Sequence, residues 1–377
     1  MPSSNQGQRY CIEVEFLVAV ERRGGVYEEF DLTTGASPRD ARWSCPDTRT
    51  PYPVVLEHIR GVLAAHGQTV TIHPTRDQHG GLTWSSREAR SWVLTPATYA
   101  RQQLGCPGGY HWIGIKLRSP VLREPDSGST EPRVPPCLDD LRRAVRMHVN
   151  STCAFNVMLL PSGRPFSLNY LKKLSSLVWL LEPDMLLALR PSALPPAASL
   201  VYHANVRYPP ASSVRCSGYI MEAYVRHTVE LHDYAVQACI NRLCADVPDL
   251  CAALRDRRDG RPLAFSLHVL SPTQQAPHSD GSRDCIVLFQ YALWHPYANL
   301  DASEYWIELA LTLGDQAAVT PREYRTIVWE WDQIIRESYV QNQGWAIRCK
   351  LLLESFGWTE DYYKGWAEIV LAYISTA

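Results

Sequence analysis

The clearest pattern lies near the start of the chain. Cys11-Ile12-Glu13-Val14-Glu15-Phe16-Leu17-Val18 alternates, with Ile12, Val14 and Phe16 on one face and Glu13 and Glu15 on the other. The β-branched and aromatic residues predict a strand. Two readings follow for the glutamates. Either the strand is half-buried with a solvated acidic face, as is common in antiparallel sheets, or both carboxylates point into a site. In the second case like charges two residues apart repel unless a cation sits between them.

Further along, periodicity divides the chain into strands and helices. Val26 to Pro53 reads as an irregular loop or hairpin excursion. Tyr52 to His66 is predicted helical, with Val54, Val55, His58, Ile59 and Val62 at helical spacing and Gly67 after it. Val70–His73, Ser91–Leu94 and Tyr110–Leu117 read as strands. Cys137 to His148 reads as a helix, Cys153 to Leu160 as an apolar strand. Ser167 caps a helix from Leu168 to Leu181 that Pro183 halts, with a short second helix over Asp184–Leu189. Pro191–Ser213 is loop-like and Met221–Leu254 helical, broken near Pro248. Strands are then expected over Pro262–Leu270, Asp284–Tyr291 and Tyr305–Leu313, with a polar loop over Ser271–Arg283. Thr320-Pro321-Arg322-Glu323 has capping-box spacing, and helices follow over Gly344–Ser355 and Thr359–Ile374. Strands interleaved with helices, without a glycine-rich βα turn, predict an α+β fold around one mostly antiparallel sheet. No internal repeat of fixed period is visible.

Composition narrows the function classes. The chain has 377 residues, 46% hydrophobic and 20% charged, with a formal net charge of -2. A sizeable core is expected, and nothing favours nucleic acid or an anionic membrane as a partner. The eleven cysteines show no CxxC pair and no zinc-finger spacing. Met1–Arg9 lacks an apolar signal segment, and no apolar run spans a bilayer. The expectation is a reduced, cytoplasmic protein acting on a small-molecule substrate. Cys239, Cys244 and Cys251 read as small buried hydrophobes.

Several phrases occur in a familiar order: the Glu-x-Glu strand, Gly114-Ile115-Lys116-Leu117-Arg118-Ser119-Pro120-Val121-Leu122, and Asn150-Ser151-Thr152-Cys153-Ala154-Phe155-Asn156-Val157-Met158. The helix from Phe166-Ser167-Leu168 to Leu180-Leu181-Glu182-Pro183 follows, then Ala298-Asn299-Leu300 and Trp306-Ile307-Glu308-Leu309-Ala310. This succession resembles the amidoligase family, which has a glutamine-synthetase-like fold and many fungal members. The resemblance covers most of the chain. It implies a single domain over residues 9–377, with an exposed loop near 124–136 and a helical insertion near 221–255. For the family it implies ATP-dependent amide bond formation, with divalent metal bridging the phosphates.

The departures change that implication. Lys116 stands where the family carries Glu, Asn156-Val157-Met158 where it reads His-x-His, and Ala310 where it has arginine. Ser192-Ala193 replaces its Ser-Arg. Glu13, Glu15 and Glu308 match. Lys116, on the strand face of Gly114 and Arg118, is expected to point at Glu13 and Glu15 and to stand where a metal stood. Met158 is a poor ligand for magnesium. Phosphoryl transfer depends on positioning and charge neutralisation, so these losses should weaken it severely.

The expected site has Glu13, Glu15, Lys116 and Glu308 in catalytic roles and Asn156, Met158 and Arg118 against the substrate. It needs no cofactor; ATP and magnesium, with metal on Glu13 and Glu308, are the alternative. The expected chemistry is acid–base, condensation or cyclisation on an amine- or carboxylate-bearing metabolite. The rivals are an ATP-dependent carboxylate–amine ligase and a non-catalytic binding protein. His227 and His232, Arg190, the pair Trp329 and Trp331 beside Tyr324, and Ser175-Ser176 suggest packing or solvated positions rather than chemistry.

Overall fold

β1 (Arg9–Glu21) runs through the middle of the sheet. The computed structural model describes residues 8–23, 42–73, 88–103, 106–125, 131–150, 152–186, 244–255, 262–269, 285–292, 294, 302–343, 345–360 and 364–368. After β1 come α1 (Pro51–Ala65), β2 (Val70–Ile72), β3 (Trp92–Arg101), β4 (Tyr110–Arg118) and β5 (Leu122–Arg123). Then follow α2 (Cys137–Ala144), β6 (Met147–His148), β7 (Phe155–Leu160) and α3 (Leu168–Leu181), which passes into a π-helical turn over Glu182–Leu186. The remainder comprises α4 (Val247–Ala253), β8 (Phe265–Val269), β9 (Cys285–Ala292), α5 (Ser303–Ala318), α6 (Pro321–Val340) and α7 (Trp345–Ser355).

The strand order is β2-β3-β4-β1-β7-β9-β8, with β5 and β6 also pairing β1. Only β2–β3 is parallel among these pairs; the others are antiparallel. The sheet is therefore mixed α/β in setting but mostly antiparallel, as the sequence led one to expect.

α5 closes one face of the sheet. Its Trp306, Leu309, Ala310 and Leu313 meet Phe155 and Val157 of β7 and Phe289 and Tyr291 of β9. Tyr10, Ile12, Val14 and Phe16 of β1 join the same main core, with Ile115 and Leu117 of β4. The other face carries a small apolar cluster of Cys11, Met158, Leu160, Ile286 and Leu288. Between that cluster and β3 lies the charged part of the sheet.

Local signals explain many of the elements. Ser167 Oγ accepts from the Tyr170 amide and so caps α3. Thr320 and Glu323 form the full capping box of α6, with Pro321 in its first turn. Asp246 caps α4 by accepting from the Asp249 amide, with Pro248 in its first turn. Gly114 has a different origin: a Cβ there would collide with the carbonyl oxygen of Ala100, so β3 and β4 can approach as closely as they do only at glycine. The β3–β4 register also shifts between Pro96 and Arg101.

Three expectations are corrected. Residues 305–313 are not a strand but the middle of α5. Trp306, Ala310, Leu313 and Ala317 are all buried and recur at helical spacing. The helix over 137–148 stops at Ala144, and Met147–His148 form β6. β7 pairs β1 only from Arg9 to Val14, so the backbone at Leu17 and Val18 takes its partner from β6. The solvated acidic face is also wrong. β1 is buried on both faces along most of its length, and Glu15 is 1% exposed.

The loop near 124–136 is pinned where it is described. Glu304 accepts from the amides of Arg133 and Val134 at 2.7 and 2.9 Å, and Tyr10 donates to the Arg133 carbonyl. Within the expected insertion near 221–255, only residues from 244 on are described, and α4 lies there. The expectations for 187–243, including Arg190, Ser192-Ala193, His227, His232 and Cys239, lie outside the described residues, as do the loop over 271–283 and Ala298-Asn299-Leu300. No helix among the described residues is long and apolar enough to cross a membrane.

A charged row on the sheet as candidate site

The register of three strands builds the site. On one row, Val93 of β3 lies opposite Arg118 of β4, Arg118 opposite Glu13 of β1, and Glu13 opposite Asn156 of β7. On the next row Thr95, Lys116 and Glu15 face one another in the same order. Cross-strand partners share a face of the sheet, so two anions from β1 are set against two cations from β4.

The side chains complete what the register begins. Lys116 Nζ lies 3.1 Å from Glu13 Oε1 and 3.2 Å from Glu15 Oε1. Asn156 Nδ2 donates to Glu13 Oε1 at 2.9 Å. Lys116 therefore does point at both glutamates, with its ammonium between the two carboxylates. Burial pushes the Glu13 carboxyl up. Lys116 and Arg118, with hydrogen bonds from Lys116 and Asn156, more than offset this and hold it below the usual carboxylate value. Asn156 is fully buried and Glu13 nearly so, whereas the Lys116 side chain is 30% exposed. Lys116 is thus the member of the cluster that meets solvent.

Met158 is two residues along β7 on the same face, but it lies in the apolar cluster with Cys11, Leu160, Ile286 and Leu288. It forms an apolar wall beside the charged row. Arg118 is buried beside Glu13 and acts on its charge.

Glu308 is not part of this constellation. It projects from α5, on the helix-covered side of the sheet, where Arg133 pairs with it. Burial raises its carboxyl; Arg133 opposes the shift, and Glu304 and Asp315 add to it. A metal shared between Glu13 and Glu308 would need ligands from both sides of the sheet, so that arrangement is excluded by the fold.

Groups that the sequence did not single out lie on the charged face. Ser266 lies opposite Leu288, and His268 opposite Ile286, which places both on the face of Met158 and Asn156. Ser266 Oγ and His268 Nε2 are 3.1 Å apart. Burial, with Arg255, lowers the imidazole to about 4 against a smaller upward pull from Glu13, so it is neutral at pH 7. Gln290, two residues beyond Leu288, adds another buried neutral group. The strand alternation Phe265-Ser266-Leu267-His268-Val269 was the available signal for the Ser–His pair. It becomes meaningful only when β9 brings β8 beside β7.

The remaining candidates resolve into packing. Trp331 and Tyr324 are buried in the core while Trp329 is exposed. Ser175 and Ser176 donate to helix carbonyls four residues back. Cys244 and Cys251 are buried free thiols.

Comparison of the chain with protein-family models, with curated proteins and with solved structures gave no match.

Proposed function

We propose that the chain is a small-molecule enzyme of amidoligase-like, glutamine-synthetase-like ancestry, whose former metal site now performs acid–base chemistry without nucleotide or metal. The observation that carries this reading is the Lys116 ammonium lying between Glu13 and Glu15. Two carboxylates and two cations on adjacent strands balance in charge, so the donor set does not fit a divalent ion: the ion would meet an ammonium already in its place. Asn156 offers one neutral oxygen, and Met158 offers a soft sulfur within an apolar cluster.

Lys116 is both charged and accessible, which suits it to steady a carboxylate or enolate of the substrate. Withdrawing its ammonium from Glu13 or Glu15 would make that glutamate a stronger base. Substrate binding and base activation are coupled in this way through one lysine. Condensation or cyclisation of an amine- or carboxylate-bearing metabolite is the reaction class that fits.

The test is calorimetry with magnesium and ATP, wild type beside Lys116→Glu, together with mass spectrometry of a metabolite extract incubated with the protein. The expected result is no magnesium or nucleotide binding by wild type, magnesium binding by Lys116→Glu, and nucleotide-free conversion that Lys116→Ala abolishes. Binding of magnesium and ATP by the wild type, with ATP-dependent turnover, would overturn this in favour of carboxylate–amine ligation. Absence of any conversion, with Lys116→Ala indistinguishable from wild type in biological output, would leave a non-catalytic binding protein.

A further inference from the structure

Asn156 is fully buried, yet half of its amide is unused. Nδ2 donates to Glu13, while Oδ1 has no hydrogen-bond partner. Turning the amide over does not relieve this, because it would set Oδ1 against a carboxylate oxygen. Glu13 therefore fixes the orientation and leaves a buried acceptor waiting for a donor.

The strand opposite the same residue is irregular, with Gln290 and Tyr291 of β9 set against Asn156 alone. Phe155 lies opposite Ala292 but Val157 lies opposite Phe289, so the β7–β9 register shifts across Asn156. Such irregularities re-aim side chains and are common beside binding sites. The orphaned acceptor and the bulge are separate observations that meet at one residue.

The surroundings select the kind of donor. A carboxylate has no proton to give Oδ1 and would meet Glu13. An ammonium would add a third cation beside Lys116 and Arg118, where the charges already cancel. Away from Glu13, the described polar side chains on this face include Gln290 and the Ser266–His268 pair; the imidazole is neutral, and the Arg255 guanidinium helps to keep it so. Neutral groups beside an unsatisfied acceptor suit an uncharged group with both donor and acceptor.

We propose that Asn156 Oδ1 receives the N–H of a carboxamide on the substrate. This deepens the functional reading above and rests on the same site. It adds to the amine- or carboxylate-bearing substrate a carboxamide, held uncharged against Asn156 while Lys116 meets the reacting group.

The test uses butyramide, butyrate, butylammonium and n-butanol, which share one apolar tail. Saturation-transfer NMR reports their binding to the intact protein at millimolar concentration. Butyramide is expected to bind in preference to the other three, and Asn156→Leu to weaken it about tenfold or more. Asn156→Asp, which keeps the shape and adds a negative charge, should shift preference towards butylammonium. A thermal melt of each variant establishes that it is folded.

Equal binding of butyramide and n-butanol would overturn the amide assignment. So would preference for butyrate or butylammonium by wild type, no binding of any probe, or unchanged butyramide binding by a folded Asn156→Leu. The readout is binding rather than turnover, which separates the two claims. Nucleotide-free conversion without butyramide binding would end this inference and keep the enzyme. Butyramide binding without conversion would do the reverse.

Discussion

Lys116 and Glu13 show how much one residue's surroundings decide. An ammonium between two buried carboxylates stabilises both, and removing it takes away the cation they share, while Arg118 still acts on Glu13. Lys116→Ala should cost about 2–4 kcal/mol, less than a fully enclosed pair because the lysine is partly exposed; urea denaturation measures it. Lys116→Arg should recover much of the loss. The Glu13 carboxyl is held below its ordinary value in the fold. Its stabilisation is therefore complete above the unfolded value of 4.5 and is lost as pH falls through the folded value. Glu13→Gln should remove that part of the acid transition, visible as a flatter stability profile below about pH 4.5. His148 works in a higher window. Burial pushes its imidazole down to about 4 from 6.5, so the unfolded chain takes up the proton first. Stability should be full above about pH 6.5 and fall towards pH 4, and His148→Gln should reduce that slope in pH-dependent melts.

Among the elements, α5 carries the main lesson. The segment Tyr305 to Leu313 contains enough apolar residues to support either period, and its local pattern reads as a strand. Packing decides for the helix, because Trp306, Ala310 and Leu313 form one buried stripe under β7 and β9, and Ala317 at the same spacing is buried too. That choice moves Glu308 to the opposite side of the sheet and to Arg133. Arg133→Ala should then loosen the 131–134 segment on α5, seen as faster amide exchange at Val134, without changing ligand binding at Lys116. The β3–β4 contact gives a sharper test. Gly114→Ala drives a methyl into the Ala100 carbonyl on a neighbouring backbone that cannot swing away. It should destabilise the fold by about 2–3 kcal/mol or more, measurable by chemical denaturation.

Across the whole molecule, the sheet divides the chemistry by face. Helices and the main core occupy one side; the other carries the charged row, its apolar wall and the Ser–His pair. The same burial keeps the thiols quiet. Among the described cysteines Cys106 alone is not fully buried. Burial raises Cys11 and Cys153 to about 12 and Cys137 and Cys251 to about 11, so few thiolates are present at neutral pH. Peptide mapping after brief alkylation of the folded protein should find Cys106 modified well before these four; equal labelling would show that the folded core is open to reagent.

The alternation Cys11 to Val18 was sufficient to place Glu13 and Glu15 on one face of a strand, and Tyr110 to Leu117 to place Lys116 with Arg118. Those are local properties, set by the two-residue period of an extended chain. Whether the glutamates faced water or a cation was not local. It depended on β4 lying antiparallel beside β1 in one register, which sets Glu15 opposite Lys116 and Glu13 opposite Arg118. The predicted α+β class also came from pattern, because caps and periods are short-range signals. The helix of residues 303–318, the end of α2 at Ala144 and the gathering of Ser266, His268 and Asn156 came from tertiary structure. Burial against partners distant in sequence overrides the local period, and strand neighbours far apart in the chain leave no mark on the spacing of residues within it.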